Sequence, residues 1–366
     1  MHLLLTVNSN WNILNFRRPL VAALLSQGHR ITVLAPMDDA VPELQKLGVR
    51  VVPLVMDMKG LNPLRDSAFM LRLYRHFLRE RPDLILSWTI KNNIFGAFAA
   101  RAVGVPFLPN VSGLGTAFLS GGALQRVAEM LYRLSFARLG TVFFQNTEDA
   151  ALFVERGLVH ERQVYCLPGS GIDLTHFTPA PLPEGPPGFL MIARLLRDKG
   201  VLEYVAAARD IRARYPDVTF RLLGAAGSQN RSAISADEVV KWQAEGVIDY
   251  LGTTDDVRPY IAQSQCIVLP SYREGAPRTL IEGAAMGRGA IATDVAGCRD
   301  VVVSGVTGLL CAPRSAEALA EQFVRFLNMP LDMRAAMGRA ARARMENRYD
   351  ERIVVRAYLE AISRAR

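Results

Sequence analysis

Two glutamates, Glu274 and Glu282, stand eight residues apart in the stretch SYREGAPRTLIEGAAMG, with Gly275, Ala276 and Pro277 between them. Pro277 suits the first turn of a helix, where its missing N–H costs nothing, so Glu274 and Gly275 fall in a loop and Glu282 inside the helix. Backbone amides near Gly275 and Ala276, with the positive end of the helix dipole, would form a site for a diphosphate. Glycine lets such a ligand approach the backbone closely. Glu274 would then accept from sugar hydroxyls beside the phosphate, and Glu282 from the two hydroxyls of a ribose. Taken singly, the pair reads as an exposed helix carboxylate, Glu282, and a loop charge, Glu274; the context favours the site.

A second segment, MIARLLRDKG, sets Arg194 and Lys199 on either side of a turn that leads into a helix. Two cations there would neutralise the charge that grows on a leaving diphosphate, the electrostatic work that usually dominates such transfers. Alone, the segment is a solvated basic turn; with Glu274 and Glu282 in the same half of the chain, it stops being independent of them.

The elements that must carry these residues are legible as alternation. Short apolar runs (LLLTV, RITVLAP, VRVVPLV, DLILSW, VPFLPNV) alternate with helical patterns (RPLVAALLSQGH, VPELQKLG, a basic helix from Leu64 to Arg81, IFGAFAARAVG). Parallel strands need crossovers and are buried on both faces, so this pattern means βα units on a parallel sheet. The second half repeats the plan with GFLMIAR, a helix from Leu202 to Tyr215, TFRLLGA, DYLGTT, QCIVLPS, a helix from Thr279, and GAIATDV. The fold class is therefore α/β, with two doubly wound Rossmann-like domains. Between them LTHFTPAPLPEGPPG holds five prolines in 15 residues and reads as a linker. The expected division is residues 1–177, 178–348, and a final helix over 349–366 that packs back on the N-terminal domain. Ligands gather at the carboxyl ends of parallel strands, so two such sheets facing each other are expected to place the site in a cleft between them.

At 366 residues the chain exceeds one ordinary core. It is half apolar and carries +8, with a pI near 9.5, which favours anionic partners without choosing among them. Between Lys59 and Arg138 eleven Lys or Arg face four Asp or Glu, so an electropositive face on the N-terminal half is expected. Cys166, Cys266, Cys298 and Cys311 show neither zinc-ligand spacing nor a disulfide framework, which suits a reducing cytoplasm. The opening MHLLLTVNSN reads as a strand and not as a signal peptide. The 24 uncharged residues between Arg101 and Arg126 contain Pro106, Pro109 and five glycines, which rule out a spanning helix.

ARLLRDKG, the Glu274-to-Glu282 stretch, VAGCRDVVVSGVTGLL and LPGSGIDLTHFTP together resemble the successive motifs of glycosyltransferase family 4, retaining enzymes of the GT-B fold. They stand in family order and spacing across the C-terminal half. The resemblance implies that Arg194 and Lys199 bind the donor diphosphate, Glu274 contacts the transferred sugar, Gly275 and Ala276 donate amides, and Glu282 holds the ribose. It implies a catalytic set of Arg194, Lys199 and Glu274, no bound cofactor or metal, and a front-face attack assisted by the departing phosphate. Three positions depart from the pattern. SWTIKNN lacks the histidine common after the strand that matches DLILSW, and Lys91, Asn92 or Asn93 would have to substitute for it. His76, in the basic helix, reads as a surface residue. Ala193 and Gly289 replace a common glycine and a common proline.

The loop from Val7 to Arg18 and NVSGLGTAFLSGG, with NFR at 15–17 and TIKNN, resemble a narrower branch whose acceptor is a sugar on undecaprenyl diphosphate and whose donor is usually a UDP-N-acetylhexosamine. Asn15, Arg17, Lys91 and Asn92 become acceptor-side candidates on that basis. The uncharged loop beside LQRVAEMLYRLSFARLG, in a window of net charge +7, would rest on an anionic leaflet, although that segment reads equally as a core helix with Arg126, Arg133 and Arg138 in solvent. The expected activity is transfer of a hexose, an N-acetylhexosamine by the resemblance, from a UDP-sugar to a lipid-linked sugar during surface-glycan assembly. The expected place is the cytoplasmic face of the inner membrane. A nucleotide-sugar epimerase or hydrolase of the same fold is the enzyme alternative. An NAD enzyme is disfavoured, because NSNWNILNFRR lacks the fingerprint glycines and Phe118 stands where Gly113 and Gly115 would need a third. Only the pI suggests nucleic acid, and no recognised module or aromatic-basic interleaving accompanies it, so no nucleic-acid partner is expected.

Overall fold

A computed structural model describes residues 1–57, 62–114, 122–227, 230 and 232–365. The chain forms two compact units, Met1–Gly171 with Glu351–Arg366, and Ile172–Asp350. The stretch from Gly115 to Gly121, most of the SGLGTAF likeness and half of the Gly-x-Gly, lies outside the described residues.

The first unit holds seven parallel strands: β1 (His2–Thr6), β2 (Arg30–Ala35), β3 (Arg50–Pro53), β4 (Leu84–Trp88), β5 (Phe107–Val111), β6 (Val142–Phe144) and β7 (Val164–Cys166), in the order β3-β2-β1-β4-β5-β6-β7. The pleat explains why their sequences are continuously apolar. Leu4 enters one core layer with Phe69, Leu73 and Phe77, while Leu3 and Leu5 enter the opposite layer with Leu20, Val21 and Leu24.

The second unit follows the same logic with β8 (Gly188–Ile192), β9 (Thr219–Leu223), β10 (Asp249–Tyr250), β11 (Cys266–Leu269), β12 (Gly289–Thr293) and β13 (Gly308–Cys311), in the order β10-β9-β8-β11-β12-β13. Phe189, Met191, Cys266 and Val268 face one layer, and Leu190, Ile267 and Leu269 the other. In both sheets the winding reverses beside the first strand, between β1 and β4 and between β8 and β11. Loops leaving the carboxyl ends of those strand pairs diverge, which opens space for a ligand.

The terminal helix Glu351–Arg364 belongs to the first unit. Val354, Ala357, Tyr358, Ala361 and Ile362, one helical face, enter the layer of Leu3 and Leu5. The Tyr358 hydroxyl accepts from Trp88 Nε1 at 3.1 Å and from Asn110 Nδ2 at 2.8 Å.

Two local expectations are corrected. Residues 10–16, expected as loop, form the helix Asn10–Phe16, because the Ser9 hydroxyl caps the Asn12 amide and Ile13 finds a buried place. Pro277 stands at the N-cap of the helix Arg278–Ala285, with extended backbone, and not inside its first turn.

The proline-rich stretch is bound to the second unit and is no free spacer, so the units part at Gly171 and Ile172, ahead of Phe177, whose ring is buried in the second unit. Fully buried Arg288 is the reason. Its guanidinium donates to the carbonyls of Ala180, Pro181, Ile261, Ala262 and Met286 at 2.7 to 3.2 Å. Arg342 adds bonds to Phe177 and Leu174, and Gln265 to Pro183. Burial pulls the Arg288 pKa down to about 10, still charged at neutral pH. Arg288→Met strands several buried carbonyls and is expected to cost roughly 3 kcal/mol or more, at about 1–3 kcal/mol per orphaned group. A urea titration that showed a loss below about 1 kcal/mol would dismiss this anchoring.

Candidate active site

The second unit's reversal brings together three strand-end loops. The loop after β8 runs from Ala193 to Gly200 and closes in a 3-10 turn, Arg197–Lys199. The loop after β11 runs from Ser271 to Pro277, and the loop after β12 from Asp294 to Gly297. Tyr272 N donates to Asp198 O at 2.9 Å, and Thr293 Oγ1 donates to the Ser271 carbonyl. Two glycines permit closer approach than any other residue. Gly200 has φ +73°, and a Cβ there would lie 2.1 Å from Pro270 O; Gly297 has φ +77°, and a Cβ would lie 2.5 Å from Gly275 O and 2.6 Å from Glu274 O.

On this floor Lys199 Nζ meets Glu274 Oε1 at 2.5 Å, and Ser271 Oγ donates to the same oxygen at 2.6 Å. Their side chains are only 18% and 13% exposed, so the pair is poorly screened and each charge holds the other in place. The two residues assigned to diphosphate and sugar are thus partners here. Lys199 keeps two further N–H donors, and Glu274 keeps lone pairs on its second oxygen. Arg194, on the same loop as Lys199, is exposed, and among the described residues its side chain makes no hydrogen bond or ion pair. Gly275 and Ala276 lie half-buried just ahead of the helix Arg278–Ala285. Within that helix Glu282 is buried and accepts from Arg278 Nε at 2.8 Å, one turn away. Burial raises the Glu282 pKa, and the Arg278 charge opposes that rise.

Sequence reasoning missed the support around this floor. Ser271 steers Glu274. The Tyr272 hydroxyl donates to Glu203 Oε1 at 2.6 Å while the Arg314 guanidinium sits 4.7 Å from its ring centre. Burial, then the bond to Glu203, pushes Tyr272 up to about 12. No spacing rule links positions 203, 272 and 314, which the sheet alone makes neighbours. Gly289, at the start of β12 and so at the far end of the strand from these loops, meets Met337 Sδ, which a Cβ would approach to 2.8 Å.

The first unit's reversal gathers the acceptor-side candidates separately. Asn92 is fully buried; its Nδ2 donates to Thr6 Oγ1 at 2.8 Å and its Oδ1 accepts from Thr89 Oγ1 at 2.9 Å, tying β1 to the helix Ile90–Val103. Lys91 Nζ bonds Asp66 Oδ1 at 2.7 Å. Asn93 Nδ2 reaches the Asn110 carbonyl at 2.8 Å. Arg17 is buried with its guanidinium 5.3 Å from the Trp88 ring centre. Of the four candidates only Asn15 is exposed, its amide bonded to the Trp11 carbonyl. His76 is half-buried, and burial lowers its pKa.

Two family models match the chain, glycosyl transferases group 1 over residues 174–344 and a glycosyl transferase 4-like domain over residues 15–169. The chain belongs to glycosyltransferase family 4. The N,N'-diacetylbacillosaminyl-diphospho-undecaprenol alpha-1,3-N-acetylgalactosaminyltransferase of Campylobacter jejuni is 27% identical over 375 residues, 96% of each chain. A UDP-Gal:alpha-D-GlcNAc-diphosphoundecaprenol alpha-1,3-galactosyltransferase of Escherichia coli is 24% identical over 73% of this chain and 72% of its own. Among solved structures, a glycosyltransferase from Rickettsia africae superposes with TM-score 0.79 at 20% identity, covering 100% of this chain and 98% of that one. Anabaena HepE in complex with UDP also has TM-score 0.79, at 18% identity, over 99% and 100%. These matches make the fold GT-B.

For this transferase the carbonyl contacts at Gly297 generate a sharp expectation. Gly297→Ala should displace the Glu274 loop and lower transfer activity by at least about tenfold, the effect of 1.4 kcal/mol on a barrier. Gly305→Ala, at φ +80° with no atom near its Cβ, carries the backbone strain alone and should leave activity within about twofold. Equal losses in the two variants would show that close approach at Gly297 has no part in the site.

Proposed function

We propose that this transferase moves an N-acetylated hexose, with retention, from a UDP-sugar to a sugar carried on undecaprenyl diphosphate, in surface-glycan assembly at the cytoplasmic face of the inner membrane. The observation that carries the reading is the likeness to the Campylobacter jejuni enzyme along 96% of both chains, in a fold shared with a UDP-bound neighbour.

The chemistry follows from the floor of the second unit. The donor diphosphate lies over the loops that carry Arg194, Lys199, Gly275 and Ala276, with its ribose hydroxyls on Glu282 and its sugar on Glu274. As the C1–O bond to the diphosphate breaks, charge grows on the leaving oxygen, where Arg194 and Lys199 stabilise it more than in the ground state. The acceptor oxygen bonds C1 from the same face, and its proton passes to the departing phosphate. Lys199 suits this work because Glu274 already fixes its ammonium, so little rearrangement accompanies the charge build-up.

For the lipid-linked acceptor, two first-unit helices offer a surface of fitting chemistry. Pro63–Glu80 exposes Leu64, Leu71 and Leu78 among Arg65, Arg72, Arg75 and Arg79. Gly122–Phe136 exposes Leu124, Val127, Met130 and Leu134 beside Arg126 and Arg133. Apolar stripes between arginines suit an anionic leaflet. No helix among the described residues is long and apolar enough to cross a membrane.

A panel of UDP-sugars assayed with lipid-diphosphate monosaccharides, product configuration being read by NMR, tests the reading; donor consumption without acceptor would favour an epimerase or hydrolase instead. In that assay Arg194→Ala and Lys199→Ala should lower kcat, and Glu282→Ala should chiefly raise donor KM. Unchanged turnover in both basic variants would remove their role. Because burial holds the Glu282 pKa above the ordinary range, UDP affinity should fall as pH drops through that raised value and the carboxylate is protonated. Arg278→Gln deletes the opposing charge and should move this loss to higher pH; a calorimetric midpoint that stays put would exclude that coupling.

A further inference from the structure

At the edge of the first sheet where β5 and β6 begin, the end opposite the Trp88 and Asn92 loops, lies a cavity of about 570 Å³. Its apolar wall includes Phe107, Leu108 and Ala361, and its charged lining is basic: Arg101, Arg138, Arg162 and Arg364 contribute, and among the described residues no Asp or Glu does. The four arginines come from four places in the chain, namely the helix Ile90–Val103, the turn after Gly122–Phe136, the 3-10 turn Glu161–Gln163 before β7, and the terminal helix. None of them belongs to the loops described above.

Their partners are few. Arg101 is fixed by the carbonyls of Leu134, at 3.1 Å, and Ser135, at 2.6 Å, which leave its charge uncompensated. Arg364 has an open-surface carboxylate, Glu360, at 3.9 Å. Among the described residues Arg138 and Arg162 make no ion pair and no side-chain hydrogen bond. Four guanidiniums around one cavity repel each other, and an anion between them relieves that repulsion. The planar fork of each guanidinium matches two phosphate oxygens, whereas the apolar wall has nothing to offer a bare ion. We propose that this cavity binds a phosphate-bearing amphiphile, its phosphate held by Arg138 and Arg162 and its apolar part against Phe107, Leu108 and Ala361. The site is separate from the donor floor, and the proposal stands independently of the donor reading.

The test titrates the full chain with dihexanoyl phosphatidic acid below its micelle concentration and, in a parallel arm, with inorganic phosphate. The short-chain lipid should bind at least about tenfold more tightly than inorganic phosphate. The double variant Arg138→Gln, Arg162→Gln should lose at least about tenfold in lipid affinity, at 1.4 kcal/mol per factor of ten. Arg325→Gln with Arg339→Gln, exposed in the second unit and outside the cavity, should lose no more than about twofold. Equal affinity for lipid and inorganic phosphate would overturn the amphiphile and leave a small-anion site. Undiminished lipid binding in the Arg138, Arg162 variant would overturn the site itself. In wild-type protein the lipid should also slow amide exchange over 138–141 and 361–365, and unchanged exchange there would overturn the proposal even if the variant failed to fold.

Discussion

The reversal of winding beside β8 is the constraint on which the candidate site of the second unit depends. Helices that leave β8 and β11 cover opposite faces of the sheet, so their strand-end loops part, and the gap between them is floored by backbone. Everything charged at the site is stationed on that gap. Gly200 lets one loop settle onto Pro270, Gly297 lets a third loop lie on Glu274 and Gly275, and the Tyr272 amide ties the first two together. Only with those approaches in place do Lys199 and Glu274, 75 positions apart in the chain, come within a hydrogen bond.

That ion pair changes the electrostatic description of the site. A lysine ammonium on a flexible stem is an imprecise cation, but one gripped by a carboxylate that is itself held by Ser271 has a defined position. Arg194 differs, being exposed on the same loop with no partner among the described residues. Glu282 is a third case, a buried carboxylate raised by desolvation and restrained by Arg278. The site therefore offers one cation held by a carboxylate, one exposed cation without a partner among the described residues, and one acid of raised pKa, three environments from a set of ordinary charged residues.

The first unit uses the same winding for a different end. At its reversal Asn92 bridges β1 and the helix after β4, and the Tyr358 hydroxyl receives Trp88 and Asn110, so the terminal helix is built into the strand ends it covers. Asn92, Trp88, Asn110 and Tyr358 bond one another or the strand ends there, in contrast to the arginines at the opposite end of the sheet, of which, among the described residues, only Arg364 has a carboxylate partner, at 3.9 Å.

Much of this is legible in the chain itself. Apolar runs of strand length between helical patterns specify buried parallel strands wherever they occur, because burial on both faces depends only on side-chain type and the pleat. Glu274, Gly275 and Glu282 could be assigned to loop and helix because proline and glycine act locally. The short helix at 10–16 escaped because it is only seven residues long, three of them asparagine, and its cap is a single serine. The proline-rich stretch misled because composition reports stiffness and says nothing of attachment, and its two bonds from Arg288, at Ala180 and Pro181, join positions over a hundred apart. The Lys199–Glu274 pair, the Tyr272–Glu203 support and the arginine cavity were invisible for the same reason. Sequence by itself determined which residues could bear charge and which strands would form; tertiary structure alone decided which charges meet, since that depends on strand order, and strand order is a property of contacts between segments that carry no local signature.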